Sequence, residues 1–301
     1  MTRRQIGFLL HPGERHAAEP GVRRVRELGY DAWVEVHEPE STMAGHAADT
    51  VLLVTIGGDG TFLFGARLAA PRGIPVMGVN RGRLGFLTDV EVADLPVALE
   101  DFAAGRFHTQ RRSMLEAIVP GDADTPPWQS FALNEVAVKS GGVSVARIRV
   151  EEDGELLGDF DADGVVVSTA TGSTAYALSA GGPPIDPRVR AVVVVPLAPH
   201  AVISRAIVLP EMVTLRITVE RGWVNVAADG LAETRLRAGA EILVRPGPEL
   251  AFVRFHDSPS FLRRLREKVR FGLPLKDLER PALLRPADAP DEGWTDVEVP
   301  L

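Results

Sequence analysis

The chain has 301 residues, of which 45% are hydrophobic, so it can bury one large core or two smaller ones. Its formal net charge of −8 argues against nucleic-acid binding over an extended surface, because that needs clustered lysine and arginine side chains. Cysteine is absent, which excludes disulfides, thiolate metal sites and a cysteine nucleophile. The lack of cysteine fits a protein of the reducing cytoplasm.

The N-terminal residues Met1 to Arg4 are basic, but the apolar stretch after them is interrupted by His11-Pro12-Gly13. That stretch is too short for the core of a signal peptide, so export is not predicted. The longest apolar run, Ala191 to Val195, is far shorter than the ~20 residues of a membrane-spanning helix. We therefore expect no membrane segment and no membrane partner.

The first hundred residues alternate short apolar runs with helical patterns, which is typical of a parallel sheet covered by helices. The predicted elements are strand Ile6 to Leu10, helix Ala17 to Leu28, strands Ala32 to Val36 and Val51 to Ile56, helix Thr61 to Ala70, strand Pro75 to Val79 and helix Asp94 to Ala104. Together they predict an α/β domain over residues 1–108.

The pattern changes from about Arg111, where runs with strand character replace the helices. Residues Val213 to Val219 alternate strictly between apolar and polar side chains, as in a half-buried antiparallel strand. The other predicted strands are Leu115 to Val119, Phe131 to Val138, Arg147 to Val150, Val165 to Ser168, Trp223 to Ala227, Glu241 to Val244 and Leu250 to Phe255. We expect a mostly antiparallel β domain over residues 109–256.

A helical pattern returns at Ser260 to Val269, with apolar side chains at four-residue spacing on one face. We expect this helix, within residues 257–273, to return to the first domain. Residues 274–301 carry repeated prolines and the acidic residues of Asp288 to Glu292, which is typical of a loosely held tail.

The strongest chemical signal is the motif Gly57-Gly58-Asp59-Gly60-Thr61, between a buried strand and a helical pattern. Glycines at such a strand end let backbone N–H groups approach phosphate oxygens, and the helix N-terminus adds partial positive charge. We therefore predict phosphate binding by Gly57, Gly58, Gly60 and Thr61. A carboxylate there repels phosphate, so Asp59 should accept a proton or hold Mg²⁺. The alternative is that Asp59 only caps the helix.

A second segment, Asp163 to Pro183, is rich in small and hydroxyl-bearing residues and contains Thr171-Gly172-Ser173-Thr174-Ala175-Tyr176 and Ser179. It offers donors and acceptors along a tight backbone path, which suits a ribose and a base. The ring of Tyr176 can stack on an aromatic ring of the ligand. The alternative is a serine-rich connection between a strand and a short helix.

A polar pair, Asn134-Glu135, interrupts the otherwise apolar predicted strand Phe131 to Val138. Buried polar groups need partners, so the pair either satisfies neighbouring backbone groups or meets a ligand. An asparagine side chain can both donate to and accept from an adenine edge, and a glutamate can accept from ribose hydroxyls.

Together these segments resemble the NAD kinase family from about Gln5 to Gly272. The segments that carry the resemblance are Gly57 to Thr61, Gly78-Val79-Asn80, Leu84-Gly85-Phe86-Leu87, Asn134-Glu135 and Asp163 to Pro183. The glycine turn is shared with lipid kinases and phosphofructokinases, whereas the last two segments look like NAD kinase alone. The resemblance implies a Rossmann-like parallel-sheet domain, a mostly antiparallel β domain and a site in the cleft between them.

The resemblance also implies an activity: transfer of the γ-phosphoryl group of ATP, or of a polyphosphate phosphoryl group, to the 2′-hydroxyl of the adenosine ribose of NAD. The implied cofactor is Mg²⁺ or another divalent cation, and the family tends toward homodimers and homotetramers. Asp59 is the implied catalytic proton acceptor. The implied NAD contacts are Asp59, Gly60, Phe86, Asn134, Glu135, Asp163, Thr171, Thr174, Ala175, Tyr176, Ser179 and Asp229.

Two alternative functions remain open. A lipid kinase of the diacylglycerol or sphingosine type shares the glycine turn, but no basic amphipathic helix or lipid anchor is evident in the sequence. A module that binds NAD without turnover is the other alternative. The histidines show no spacing typical of metal ligands, so catalytic zinc is not predicted.

Overall fold

The structure is a computed structural model that describes residues 4–38, 43, 45–46, 48–82, 85–121, 125–201 and 205–272. Residues up to Phe261 belong to one compact unit, and Leu262 begins a second. None of the helices in these ranges is both long and apolar enough to cross a membrane. The predicted tail at 274–301 lies outside the described residues.

Strands and helices alternate in the first hundred residues. They are β1 (Gln5–Leu10), α1 (Glu19–Glu27), β2 (Asp31–Val36), β3 (Thr50–Ile56), α2 (Asp59–Ala69), β4 (Val76–Asn80), β5 (Val90–Glu91) and α3 (Leu95–Ala103). Each element predicted in this region is confirmed, with ends that move by at most two residues. The short strand β5 was not predicted.

These strands form a parallel sheet in the order β5-β4-β3-β1-β2. Successive side chains of β3 reach opposite faces, so Leu52 packs in the core that contains residues of α1 and α3, and Leu53 packs in the core with Phe62 of α2. Burial on both faces explains why the strands read as continuous apolar runs. The chain turns to opposite sides after β1 and after β3, and ligands bind at the carboxyl edge of such a switch point.

The second half of the unit consists mostly of strands. They are β6 (His108–Val119), β7 (Trp128–Ala132), β8 (Glu135–Ser140), β9 (Ala146–Glu152), β10 (Glu155–Ala162), β11 (Gly164–Thr169), β12 (Ala191–Leu197), β13 (Ile207–Pro210), β14 (Leu215–Arg221), β15 (Trp223–Ala228), β16 (Ala232–Arg237) and β17 (Glu241–Arg254), with the short helix α4 (Tyr176–Ser179).

Six of these strands form a separate antiparallel sheet in the order β13-β12-β11-β8-β15-β16. The others extend the first sheet, because β17 pairs antiparallel with β6 and β14 and parallel with β4 through Phe252 and Val76. A core that includes Val167, Val226 and Ile217 lies between the two sheets. The predicted combination of an α/β region with a mostly antiparallel β region is confirmed.

Two strand predictions were wrong. The predicted strand Phe131 to Val138 is two strands, β7 and β8, which belong to different sheets. The predicted strands Glu241 to Val244 and Leu250 to Phe255 are one strand, β17, with a register shift between Pro246 and Glu249. Proline there interrupts the hydrogen-bond ladder with a bulge and does not end the strand.

The helix predicted from Ser260 to Val269 is confirmed as α5 (Phe261–Val269).

Candidate functional site

The Asp59 side chain is fixed by the loop that follows β4. Its Oδ2 accepts the N–H of Phe86 and its Oδ1 accepts the N–H of Leu87, each at 3.0 Å. Helix α2 has Gly58 as its N-cap and no side-chain cap, so the capping interpretation of Asp59 was wrong. A carboxylate oxygen has two lone pairs, so each oxygen of Asp59 keeps capacity for a further donor.

Two glycines of this region are required by close approach. A Cβ on Gly85 would lie 2.1 Å from Asp59 Oδ1, and a Cβ on Gly57 would lie 2.5 Å from Thr61 Oγ1. Gly58 and Gly60, in contrast, are exposed with open space around their Cα atoms. The turn is therefore tightly packed on its inner side and open on the side where a phosphate would approach.

The polar pair Asn134-Glu135 lies where the chain passes from one sheet to the other. The carboxylate of Asp229 accepts the backbone N–H groups of Leu133, Asn134 and Glu135, at 2.7, 2.8 and 3.0 Å. Asp229 has a left-handed backbone with φ of +52°, which aspartate tolerates better than most residues. Asp229 therefore fixes the backbone of the polar pair, since its oxygens point at these three donors.

The carbonyl groups of the same segment are bound from β11 and the loop after it. Thr169 Oγ1 donates to the carbonyl of Leu133 at 2.6 Å, and Ser168 Oγ donates to the carbonyl of Asn134 at 3.1 Å. A Cβ on Gly172 would lie 2.2 Å from the Asn134 carbonyl oxygen. Side chains thus bind backbone groups here in addition to the backbone bond from the Thr169 N–H to the Asn134 carbonyl, and the predicted strand divides at this point.

Two carboxyl groups with raised pKa values meet at this junction. Burial, and then the negative charge of Asp229, raise the pKa of Glu135 to about 7, although the backbone N–H of Tyr176 acts in the opposite direction. Burial raises the pKa of Asp229 to about 6, against the three backbone N–H groups and the positive charge of Arg67. Among the described residues no donor reaches the buried Oε2 of Glu135. Buried carboxylate oxygens normally have a donor, so this oxygen lacks a partner that the described residues do not supply.

The loop from Thr171 to Ser179 lies beside the polar pair. Ser173 is fully buried, donates to the carbonyl of Ala170 at 2.7 Å and accepts the N–H of Ile185 at 2.8 Å, so it holds the loop together. The hydroxyl of Thr171 accepts a weak bond from buried Arg112. Thr174, Ala175 and Tyr176 are partly exposed, and Ser179 is exposed. The Lys139 ammonium lies 5.6 Å from the centre of the Tyr176 ring.

Asp163 is not brought to this cluster. It precedes β11, where its N–H donates to the carbonyl of Leu197, whereas the polar pair contacts Thr169 at the other end of the strand. Six residues of strand separate the two ends, which is about 20 Å. Within one chain, Asp163 therefore lies apart from the polar pair, although Lys139, which pairs with Gly164 beside it, reaches the Tyr176 ring.

One hydrophobic core connects the Asp59 turn to the polar pair. Phe62 of α2, Phe86 of the loop that binds Asp59, and Leu133 next to the polar pair all pack in the same cluster. Arg67, two turns further along α2, is close enough to Asp229 to affect the pKa of that carboxyl group. Sequence reasoning missed Arg67, because an arginine in a helix gives no signal of a partner distant in the sequence.

Comparison with known proteins identifies the family. Residues 7–107 match the family model of the ATP-NAD kinase N-terminal domain, and residues 133–254 match that of the ATP-NAD kinase C-terminal domain. The NAD kinase of Heliobacterium modesticaldum is 42% identical over 254 residues, which is 83% of this chain and 87% of the relative. The chain belongs to the NAD kinase family. It is therefore a phosphotransferase with an alcohol acceptor.

Another NAD kinase agrees with this membership, and two solved structures share the fold. The NAD kinase of Moorella thermoacetica is 39% identical over 236 residues, or 76% of this chain and 74% of the relative. An NAD kinase from Archaeoglobus fulgidus in complex with ATP matches with a TM-score of 0.69 and 26% identity over 88% of this chain and 98% of its own. Yeast NADH kinase complexed with NADH shares the fold, with a TM-score of 0.80 over 93% and 91% of the chains at 22% identity.

NAD kinase chemistry needs the charge of the donor phosphates to be neutralised. Within the part of the chain that the structure describes, no group of three or more histidine, aspartate or glutamate side chains could hold a metal ion. Magnesium commonly uses one or two carboxylates together with substrate phosphates and water. Asp59 is a carboxylate beside the open glycine turn that could serve such a cation together with the donor phosphates.

Proposed function

We propose that this chain transfers the γ-phosphoryl group of ATP to the 2′-hydroxyl of the adenosine ribose of NAD, which gives NADP. The observation that carries the proposal is the Asp59 carboxylate, held by the N–H groups of Phe86 and Leu87 beside an open glycine turn. A fixed carboxylate at the carboxyl edge of a parallel sheet can orient a hydroxyl and accept its proton.

In the proposed reaction, the 2′-oxygen of the ribose forms a bond to the γ-phosphorus as its proton passes to Asp59. The bond from the γ-phosphorus to the bridging oxygen breaks, and ADP leaves with that electron pair. Phosphoryl transfer depends mainly on alignment and charge neutralisation, so the rigid binding of the Asp59 carboxylate is its main contribution. A bound Mg²⁺ or another divalent cation would neutralise donor charge, with the donor phosphates and water as its main ligands.

The NAD contacts follow from what each side chain has free. Glu135 offers the unpaired Oε2 to a ribose hydroxyl, and Asn134 offers its amide to the adenine edge. Residues Thr171 and Thr174 to Ser179 line the base and ribose, and Phe86 and Gly60 approach from the Asp59 side. Asp229 acts through the backbone of the polar pair and does not need to touch the ligand. Residues 1–108 thus supply the phosphate-binding groups, and residues 109–256 supply most of the dinucleotide contacts.

Assembly and location belong to the same proposal. Because Asp163 lies about 20 Å along β11 from the polar pair, we keep it as an NAD contact only in a homodimer or homotetramer, where a second copy brings it to the site. The complete absence of cysteine supports a reducing, cytoplasmic location, where NAD and ATP are both available.

The test is the Asp59→Asn variant in a coupled assay for NADP, with ATP and polyphosphate in turn and with and without Mg²⁺. We expect turnover to fall at least ~10²-fold, while NAD binding measured by titration calorimetry stays near that of the unchanged protein. Asp94→Asn is the matched control, since Asp94 also stands at a helix start, makes no side-chain capping hydrogen bond and is exposed.

The same assay separates the alternatives. Turnover of Asp59→Asn within a few-fold of the unchanged protein would remove Asp59 from the catalytic role. NAD binding without any NADP would favour the non-catalytic module. Phosphorylation of diacylglycerol in place of NAD would favour a lipid kinase.

A further inference from the structure

An ion pair crosses the carboxyl end of β3. Arg81, just after β4, donates from Nη1 to the Glu14 carboxylate, which lies four residues beyond β1. Strands β4 and β1 are the two neighbours of β3, and Leu10, Ile56 and Val79 are at the same level. Because adjacent strands are ~4.8 Å apart, the pair spans about 10 Å across the strand end from which the Gly57 to Thr61 turn emerges.

The two partners of this pair are unequally exposed. The Arg81 side chain is 71% exposed, whereas the Glu14 side chain is only 11% exposed. The cation therefore faces solvent at the open side of the sheet edge, and the carboxylate holds it from the inside. Because most of the guanidinium is in solvent, it can turn from Glu14 to an arriving anion, and the cost is that the largely buried Glu14 carboxylate must then take up water or a proton.

A second, independent feature lies directly before Arg81. Asn80 is 2% exposed, and its Oδ1 accepts the N–H of Gly82 at 2.6 Å. Its Nδ2 is buried and has no hydrogen-bond partner among the described residues. Buried donors normally have an acceptor, so this amide points to a ligand or ordered water at the end of β4.

The local charge indicates that a polyphosphate donor needs a cation at this edge of the sheet. A donor polyphosphate brings several negative charges to an edge that already carries Asp59 and Glu14, and no lysine follows the glycine turn as it does in a Walker motif. A guanidinium binds two phosphate oxygens with parallel N–H donors. Arg81 is a cation at this edge whose present partner is a replaceable carboxylate.

We infer that Arg81 binds the phosphates of the phosphoryl donor and that Glu14 holds the guanidinium until the donor arrives. The inference rests on the proposed function and adds to it the residue that recognises the donor. The ligand chemistry is a linear polyphosphate chain, which ATP and inorganic polyphosphate share. On binding, Arg81 exchanges the Glu14 carboxylate for phosphate oxygens.

The test compares Arg81→Ala, Glu14→Gln and the double variant by titration calorimetry with ATP and, separately, with inorganic tripolyphosphate. We expect Arg81→Ala to weaken the binding of both ligands by about tenfold or more, because the variant loses a pair of charge-assisted hydrogen bonds to the phosphates. Glu14→Gln should tighten both a few-fold, because it removes the competing carboxylate. The double variant should match Arg81→Ala.

The decisive result is that Arg81→Ala and Glu14→Gln change donor affinity in opposite directions. A purely structural ion pair predicts that both single variants weaken donor binding, and that outcome would overturn the inference. Weaker binding of ATP but not of tripolyphosphate by Arg81→Ala would also overturn the inference, because Arg81 would then not bind the phosphates. If Arg81→Ala does not fold, as judged by circular dichroism, the direction in which Glu14→Gln changes donor affinity decides alone. Arg106→Ala is the matched control, since Arg106 is 63% exposed and paired with Asp101 away from this edge.

The same variants distinguish this inference from the function on which it rests. NAD binding should be unchanged in all of them, and in the NADP assay the donor KM should rise in Arg81→Ala while kcat changes little. Failure of the unchanged protein to make NADP would refute the proposed function. The directions in which the variants change donor affinity would still test the role of Arg81.

Discussion

Replacing Gly85 with alanine tests whether the position of Asp59 matters for catalysis. A Cβ at residue 85 would lie 2.1 Å from Asp59 Oδ1, and Cβ atoms essentially never come within 3.0 Å of another heavy atom, so the oxygen must move by about 0.9 Å. That movement strains the two 3.0 Å hydrogen bonds from Phe86 and Leu87. A displacement of about 1 Å in a reacting group can cost ~10²-fold in rate.

We therefore expect Gly85→Ala to lower kcat about 10²-fold, with a loss of stability of ~1–3 kcal/mol from the added methyl group. The assay is NADP formation at saturating ATP and NAD, with urea unfolding of the same preparations. Gly82→Ala is the matched control from the same loop, because a Cβ there meets nothing within 4 Å. A Gly85→Ala enzyme with kcat close to that of Gly82→Ala would refute the reasoning, since the added methyl group beside Asp59 would then leave catalysis unchanged.

Two further predictions concern the junction of the sheets. The pKa of Glu135 is about 7 in the folded chain, against an ordinary value of 4.5. Between pH 4.5 and pH 7 the folded chain therefore holds a proton on Glu135 that the unfolded chain has lost. The free energy of unfolding consequently falls as the pH rises through this range. The melting temperature of Glu135→Gln, compared with that of the unchanged protein, should therefore be relatively higher at pH 8 than at pH 5. The exposed Glu155→Gln variant should show no such change. The same difference in melting temperature at both pH values for Glu135→Gln would contradict the raised pKa. In Asp229→Asn, the new residue still tolerates the left-handed backbone, but its NH₂ group faces backbone N–H groups that need an acceptor. Urea unfolding should therefore show a free energy of unfolding that is lower by ~1–3 kcal/mol. The control is Asp153→Asn, also left-handed but exposed in the β9–β10 turn, and a loss as large there would remove the hydrogen bonds as the cause.

Local sequence was sufficient for the first half of the fold and for the centre of the site. Strands β1, β3 and β4 are apolar on both faces, and Gly57 to Thr61 follows one of them, so the burial pattern and the turn residues predict the parallel sheet and place Asp59 at its carboxyl edge. These features depend on residues adjacent in the chain, which is why periodicity reveals them.

The hydrogen-bond partners of these groups were decided by the tertiary structure. The division of Phe131 to Val138 depends on Asp229 and Thr169, which lie far along the chain and take over the backbone donors and acceptors of Leu133 and Asn134. The merging of two predicted strands into β17 depends in the same way on the neighbouring strand β6.

By itself, the sequence determined the apolar strands and the helices of the first hundred residues, where the glycine turn lies and which family the motifs resemble. Only the tertiary structure decided that Asp59 is bound by Phe86 and Leu87, that Asp229 holds the polar pair, that Arg81 meets Glu14 and that Asp163 lies at the far end of β11. The physical reason is that burial preference is a property of each side chain, whereas a hydrogen bond or ion pair needs a second group that long-range packing brings within about 3 Å.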